Sequence, residues 1–204
     1  MTLVGERFVS AFGAPDPAAA PGLQFERRGS RVMWERLHEE VGAGWFRDGF
    51  LYLFGEGLEA LRPCLEAWSF IVPPCDDRLI IGRNAYGMLL VLDNPSRPAQ
   101  ETVYVLDPFT VSYAGDSTVQ LVSLIGRALP DGELRPFLGD QPYRAWRQEH
   151  GVDRLGAQNI LGVKVPKGLG GQIESSNLQV EDIIAYYETT AAIYANEFAK
   201  LNKV

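Results

Sequence analysis

The sequence predicts an α+β fold: an antiparallel sheet meander packed by helices, with a smaller α/β C-terminal subdomain ending in a long helix. Three observations carry that expectation. Strand candidates RLIIG (78–82), GMLLVLD (87–93) and TVYVLD (102–107) follow one another with only turn residues between them, and strands joined so closely pair antiparallel. Apolar stripes at helical spacing stand before and after this block. A stretch with three prolines and two glycines, LPDGELRPFLGDQP (129–142), then breaks the chain and divides it into residues 1–129 and 130–204.

Each element has its own signal. After a short N-terminal turn of helix, APDPAAAPG (14–22) reads as a loop. Residues 31–41 read as a helix, with Val32, Trp34, Leu37 and Val41 partly in register and Gly42 and Gly44 ending it. FLYLFG (50–55) is an aromatic-rich strand candidate. Leu58, Leu61, Leu65 and Trp68 form a helical stripe interrupted by Pro63. Proline is tolerated only in a first helical turn, so the regular helix should begin near Arg62. DNPSRP (93–98) turns the chain between the second and third strand candidates. Asp116 or Ser117 is the expected cap of a helix running to about Leu129, with Leu121, Val122, Ile125 and Leu129 on one face. Beyond the break, a short helix is predicted over 143–150, a strand over 160–165 and a long final helix over 180–201. In that helix Ile184, Tyr187, Ala191, Tyr194, Phe198 and Leu201 make a stripe suited to packing on the sheet.

Composition limits what such a chain does. With 46% hydrophobic and 22% charged residues over 204 positions, it should fold as a soluble globular protein. Glu6 and Arg7 interrupt the start where a signal peptide needs apolar residues. Apolar runs such as MLLVL (88–92) are too short to span a bilayer. A cytoplasmic location with no membrane partner is therefore expected. Cys64 and Cys75 lack CxxC spacing and read as free structural thiols. The formal charge of −7 argues against nucleic acid as a direct partner, because phosphate binding needs clustered Lys and Arg. A basic protein is the more natural counterpart. From 168 to 199 there is no Lys, Arg or His, while Glu174, Glu181, Asp182, Glu188 and Glu197 all occur. From 98 to 126 the same holds, with Glu101, Asp107 and Asp116.

Catalytic patterns are missing from the sequence. His38 and His150 are the only histidines, and neither sits in HExxH. His38, in RLHEE, reads as a surface residue, and no GxSxG elbow occurs. Cys64 beside Trp68 reads as a buried structural cysteine. Asp76 and Asp77 are neighbours, whose side chains diverge in extended chain, so they read as turn caps. The glycine cluster VPKGLGG (165–171) is not a P-loop: its Lys precedes the glycines, and Glu174 and Glu181 follow where phosphate would be repelled. Its glycines are expected to serve the backbone. No catalytic residue, metal ligand or cofactor is expected.

Leu155, Gly156, the segment 160–166, the LGG at 169–171, Asn177, Leu178 and the final helix together resemble the small C-terminal domain of type VI secretion immunity proteins. GFLYLFGEG (49–57), Trp68 and RNAYGMLLVLD (83–93) resemble the GAD-related domain that usually precedes it. The likeness spans roughly residues 31–195, in the right order. It implies a GAD-related domain over 1–129 and an immunity domain over 130–204. It also implies a non-catalytic inhibitor of a cognate secreted antibacterial toxin, a DNase in the best-known branch. Such a nuclease has a basic cleft, and Glu174, Glu181, Asp182 and Glu188 are the expected toxin-binding carboxylates. Two other readings stay open: a ligand-sensing or scaffold module of the same fold, and an enzyme assembled from scattered carboxylates.

Overall fold

A computed structural model describes residues 4–20, 22, 31–116 and 120–201. Its centre is a six-stranded sheet in which every strand pairs antiparallel with the next in sequence. The strands are β1 (Gly44–Phe46), β2 (Leu51–Leu53), β3 (Arg78–Asn84), β4 (Leu89–Asp93), β5 (Thr102–Asp107) and β6 (Ser112–Asp116). The α+β meander is thus present, and it is longer than the sequence predicts. β1, β6 and a later strand, β8 (Leu178–Asp182), have no sequence expectation behind them.

The run LLVL owes its continuity to burial on both sides. Leu90 and Leu92 enter one apolar core, while Leu89 and Val91 enter the other, as the two-residue period of a strand requires. β3 follows the same rule, with Leu79 and Ile81 in the first core and Ile80 in the second. At the end of this strand pair Arg78 forks onto Asp93, with Nε to Oδ1 at 2.6 Å and Nη2 to Oδ2 at 2.7 Å. Both side chains are buried, so each charge is answered within the sheet.

The first core is closed by α1 (Val4–Phe12), α2 (Arg31–Glu40), α4 (Leu121–Ser123) with its π-helical continuation Leu124–Ala128, α5 (Arg135–Leu138) and α6 (Gln141–His150). Phe8, Leu37, Leu124, Ile125, Phe137 and Trp146 are their main contributions. Val32 and Trp34 of the predicted α2 register have side chains outside the described residues. The second core lies under a 3-10 turn (Leu58–Leu61), α3 (Arg62–Ala67), which starts where Pro63 demands, and the last helix α7 (Ile183–Leu201). No helix among the described residues is long and apolar enough to cross a membrane.

Two helix starts differ from expectation. Asp116 ends β6 with its side chain outside the described residues, and Ser117 lies outside them altogether. The first amide of the following helix, at Leu121, is taken instead by the buried Glu101 carboxylate at 2.7 Å. Burial holds the Glu101 carboxyl above its usual range. Asp107 is also absorbed locally, accepting the Phe109 amide at 2.8 Å and the Thr110 hydroxyl at 2.6 Å. The base-free stretch 98–126 therefore spends two of its carboxylates on turns and caps. The final helix begins at Ile183, three residues later than predicted, because 180–182 pair as strand. Its fully buried side chains are Ile183 and Tyr187, with Ala191 nearly so, while Ile184 and Tyr194 only flank this core. The side chains of Phe198 and Leu201 lie outside the described residues.

Candidate functional site

The C-terminal acidic region is built on a β-hairpin. β7 (Asn159–Val163) pairs with β8 in antiparallel register, Leu161 opposite Val180 and Ile160 opposite Glu181. The hairpin abuts the turn between β3 and β4. The Leu161 amide donates to Ala85 O at 2.8 Å, and the Tyr187 hydroxyl of α7 donates to Gly87 O at 2.8 Å. Gly162 leaves room for the Tyr186 ring to lie against the strand.

Arg83 holds the approach to β7. Its guanidinium donates to the carbonyl oxygens of Ala157 (2.6 Å), Gly156 (3.3 Å) and Asn159 (3.3 Å), and stands 5.0 Å from the centre of the Trp45 ring. It is only 1% exposed, and burial lowers its pKa to about 10. The arginine makes the backbone of 156–159 part of the sheet's own bonding. Sequence reasoning missed this role. The available signal was a charged residue inside the apolar run of 79–92, where only a satisfied side chain is tolerated.

The glycine cluster links β7 to β8 and is structural. Gly170 has φ +88° and closes the short turn Lys167–Leu169, while a Cβ on Gly171 would overlap the Val165 carbonyl oxygen. Asn177 fixes the loop from inside. Its Nδ2 donates to Val165 O (3.0 Å) and Gln172 O (2.9 Å), and its Oδ1 accepts the Val165 amide at 2.9 Å. Lys164 directs its ammonium at Ser176 O, 3.0 Å away.

The four expected toxin-binding carboxylates are not one cluster. Glu181 and Asp182 are adjacent at the junction of β8 and α7, and strand geometry sends them to opposite faces. Glu181 contacts Gln179 on the face beside Tyr186. Asp182 is the N-cap of α7, its Oδ1 accepting the Ala185 amide at 3.0 Å. Glu188 is exposed more than a turn along the helix, and Glu174 is exposed beyond the other end of β8. Apolar side chains share this region. Of six large apolar side chains exposed among the described residues, Val165, Leu169 and Val180 fall between 165 and 180. Leu169 is 79% exposed.

Other groups have plainer roles. Cys64 is fully buried, and its thiol is pushed up to about 12 by burial first and then by the charges of Asp182 and Glu188. His38 is half-buried, with a pKa lowered by burial, and so departs from the surface position predicted for it. His150 stacks on Trp146 at 4.4 Å. Asp77 accepts the Ser96 amide at 3.0 Å as a turn cap. An open cleft of about 540 Å³ lies elsewhere, bordered by Asp16, Asp48, Arg147, Asp153, Arg154 and Gly156. Among the described residues no three His, Cys, Asp or Glu side chains form a group able to hold a metal ion.

No family model matches the chain, and no curated protein matches it. Among solved structures it is similar to Atu4351 from Agrobacterium tumefaciens, with a TM-score of 0.64 over 91% of this chain and 87% of that one, at 14% identity. The likeness is one of fold, extending over nearly the whole of both chains.

Proposed function

We propose that this protein is a cytoplasmic immunity protein, a non-catalytic inhibitor of a cognate type VI secreted toxin. The toxin is a DNase, and the C-terminal acidic surface covers its basic DNA-binding and active-site surface. In this reading residues 1–129 are the GAD-related domain and 130–204 the immunity domain. The observation that carries it is the coincidence, on one hairpin and the start of one helix, of exposed apolar side chains with Glu174, Glu181, Asp182 and Glu188. The same stretch, 168–199, holds no base at all. Apolar anchors ringed by charge are how protein interfaces gain affinity and specificity, and a negative field speeds encounter with a basic cleft.

A second reading, a ligand-sensing module, draws on the cleft bordered by Arg147 and Arg154. It leaves the exposed apolar side chains of the hairpin without a use. Co-expression separates the two. A susceptible cell making the toxin encoded beside this gene should regain growth and intact chromosomal DNA when it also makes this protein. Unrelieved growth arrest at equal expression of both proteins would sink the immunity reading and favour the sensing module.

A further inference from the structure

The register of the C-terminal hairpin fixes which backbone groups remain for a partner. At one end of the ladder the Lys164 amide bonds Asn177 O at 2.8 Å, and at the other the Ile183 amide bonds Gln158 O at 2.9 Å. Bonded positions recur at every second residue of an antiparallel pair. Gln179 and Glu181 therefore exchange bonds with β7, while Leu178, Val180 and Asp182 turn their peptide groups away from it. β7 obeys the same phase, since Leu161, opposite Val180, gives its amide to Ala85 rather than to β8. The Leu178 amide is satisfied by Ser175 O. The carbonyl of Leu178, both peptide groups of Val180 and the amide of Asp182 make no bond among the described residues.

Resting on the immunity reading above, we propose that this free edge of β8 is the docking line: the toxin adds an extended basic segment there as a third strand of the hairpin. Main-chain bonds to an exposed edge supply affinity in such additions, and side chains beside the edge supply selection. Here the selecting groups are Glu181 and Asp182 at one end, Glu174 beyond the other, and Val180, 45% exposed, between them. Lys164, a base beyond the far end of the ladder, is occupied with Ser176 O. Charge complementarity points to a basic strand and away from a second copy of this chain. Pairing two β8 edges would bring together two molecules that each carry −7, with the carboxylates of both copies along the shared edge. Carboxylates at an edge also discourage self-pairing. β6, the outer strand of the large sheet, carries no large exposed apolar side chain among the described residues.

The test is amide hydrogen exchange on the full chain, isotopically labelled, alone and with the purified toxin encoded by the neighbouring gene. The Val180 and Asp182 amides should slow by about tenfold or more in the complex, while Gln179 and Glu181, already bonded within the hairpin, stay as they were. Val180→Pro removes an N–H that β7 does not use, so it should keep the melting temperature and weaken binding by about tenfold. A complex that forms with Val180 exchange unaltered overturns edge docking and leaves the immunity reading standing. Absence of any complex overturns both. Val180 protection that grows with concentration in the partner-free chain, together with a dimeric mass, gives the edge to a second copy and contradicts the basic strand.

Discussion

The Asp182 carboxylate accepts the Ala185 amide, so replacing it with Lys removes a helix cap as well as a negative charge. Asp182→Lys should therefore cost about 1 kcal/mol of stability in addition to any effect on binding. Asp182→Asn keeps the cap, and its melting temperature should match the parent. Charge reversal at Glu181 and Glu188 together isolates the electrostatic contribution: affinity and its salt dependence should both fall, with thermal stability unchanged. The sequence displays all these carboxylates equally, and only the hydrogen bonds distinguish them. Glu101 gives a pH test of the same kind. Its folded pKa lies above the ordinary 4.5, so the stability linked to it is full below 4.5 and is lost as pH rises through the folded value. Glu101→Gln should flatten the denaturation midpoint across that window, and an identical slope in both proteins would show that Glu101 has no such linkage.

The elements legible in the sequence are those whose own residues decide their state. β3, β4 and β5 are β-branched and aliphatic runs bounded by turns, and α3 is positioned by Pro63. β1 and β6 are invisible because GWF is too short for a pattern and SYAGD carries alanine and glycine. β8 is the instructive failure. LQVED leads into a helical stripe, and Glu181 and Asp182 look like a favourable first turn, yet pairing with β7 decides the matter. That contact is set by chain some twenty residues upstream, which local pattern does not report. Trp68 is fully buried at the α3–α7 contact, its Nε1 donating to Tyr187 O at 3.0 Å. Trp68→Ala should cost about 3–5 kcal/mol in chemical denaturation, and a loss under 1 kcal/mol would show that α7 is held by other means. Gly171→Ala should also destabilise, because its Cβ would collide with the Val165 carbonyl and force open the loop that Asn177 closes.

At the scale of the molecule, both cores run through the large sheet and take side chains from the C-terminal hairpin, Leu161 and Leu178 in one and Ile160 in the other. Arg83 joins the same regions through main-chain carbonyls. β8 is thus anchored on its β7 side, with its other edge outward, the arrangement that lets the proposed partner strand dock with little ordering of this chain. The acidity of the C-terminal half was legible in the sequence, because charge counting needs no geometry. The edge was not, since the phase of the hairpin bonds depends on which residues of 159–163 and 178–182 face each other. The immunity account is tested most directly by titrating this protein against the toxin encoded by the neighbouring gene, following plasmid cleavage and complex mass together. Cleavage should disappear at a stoichiometric ratio as a stable complex forms. Cleavage undiminished at excess protein, with no complex detected, would contradict it.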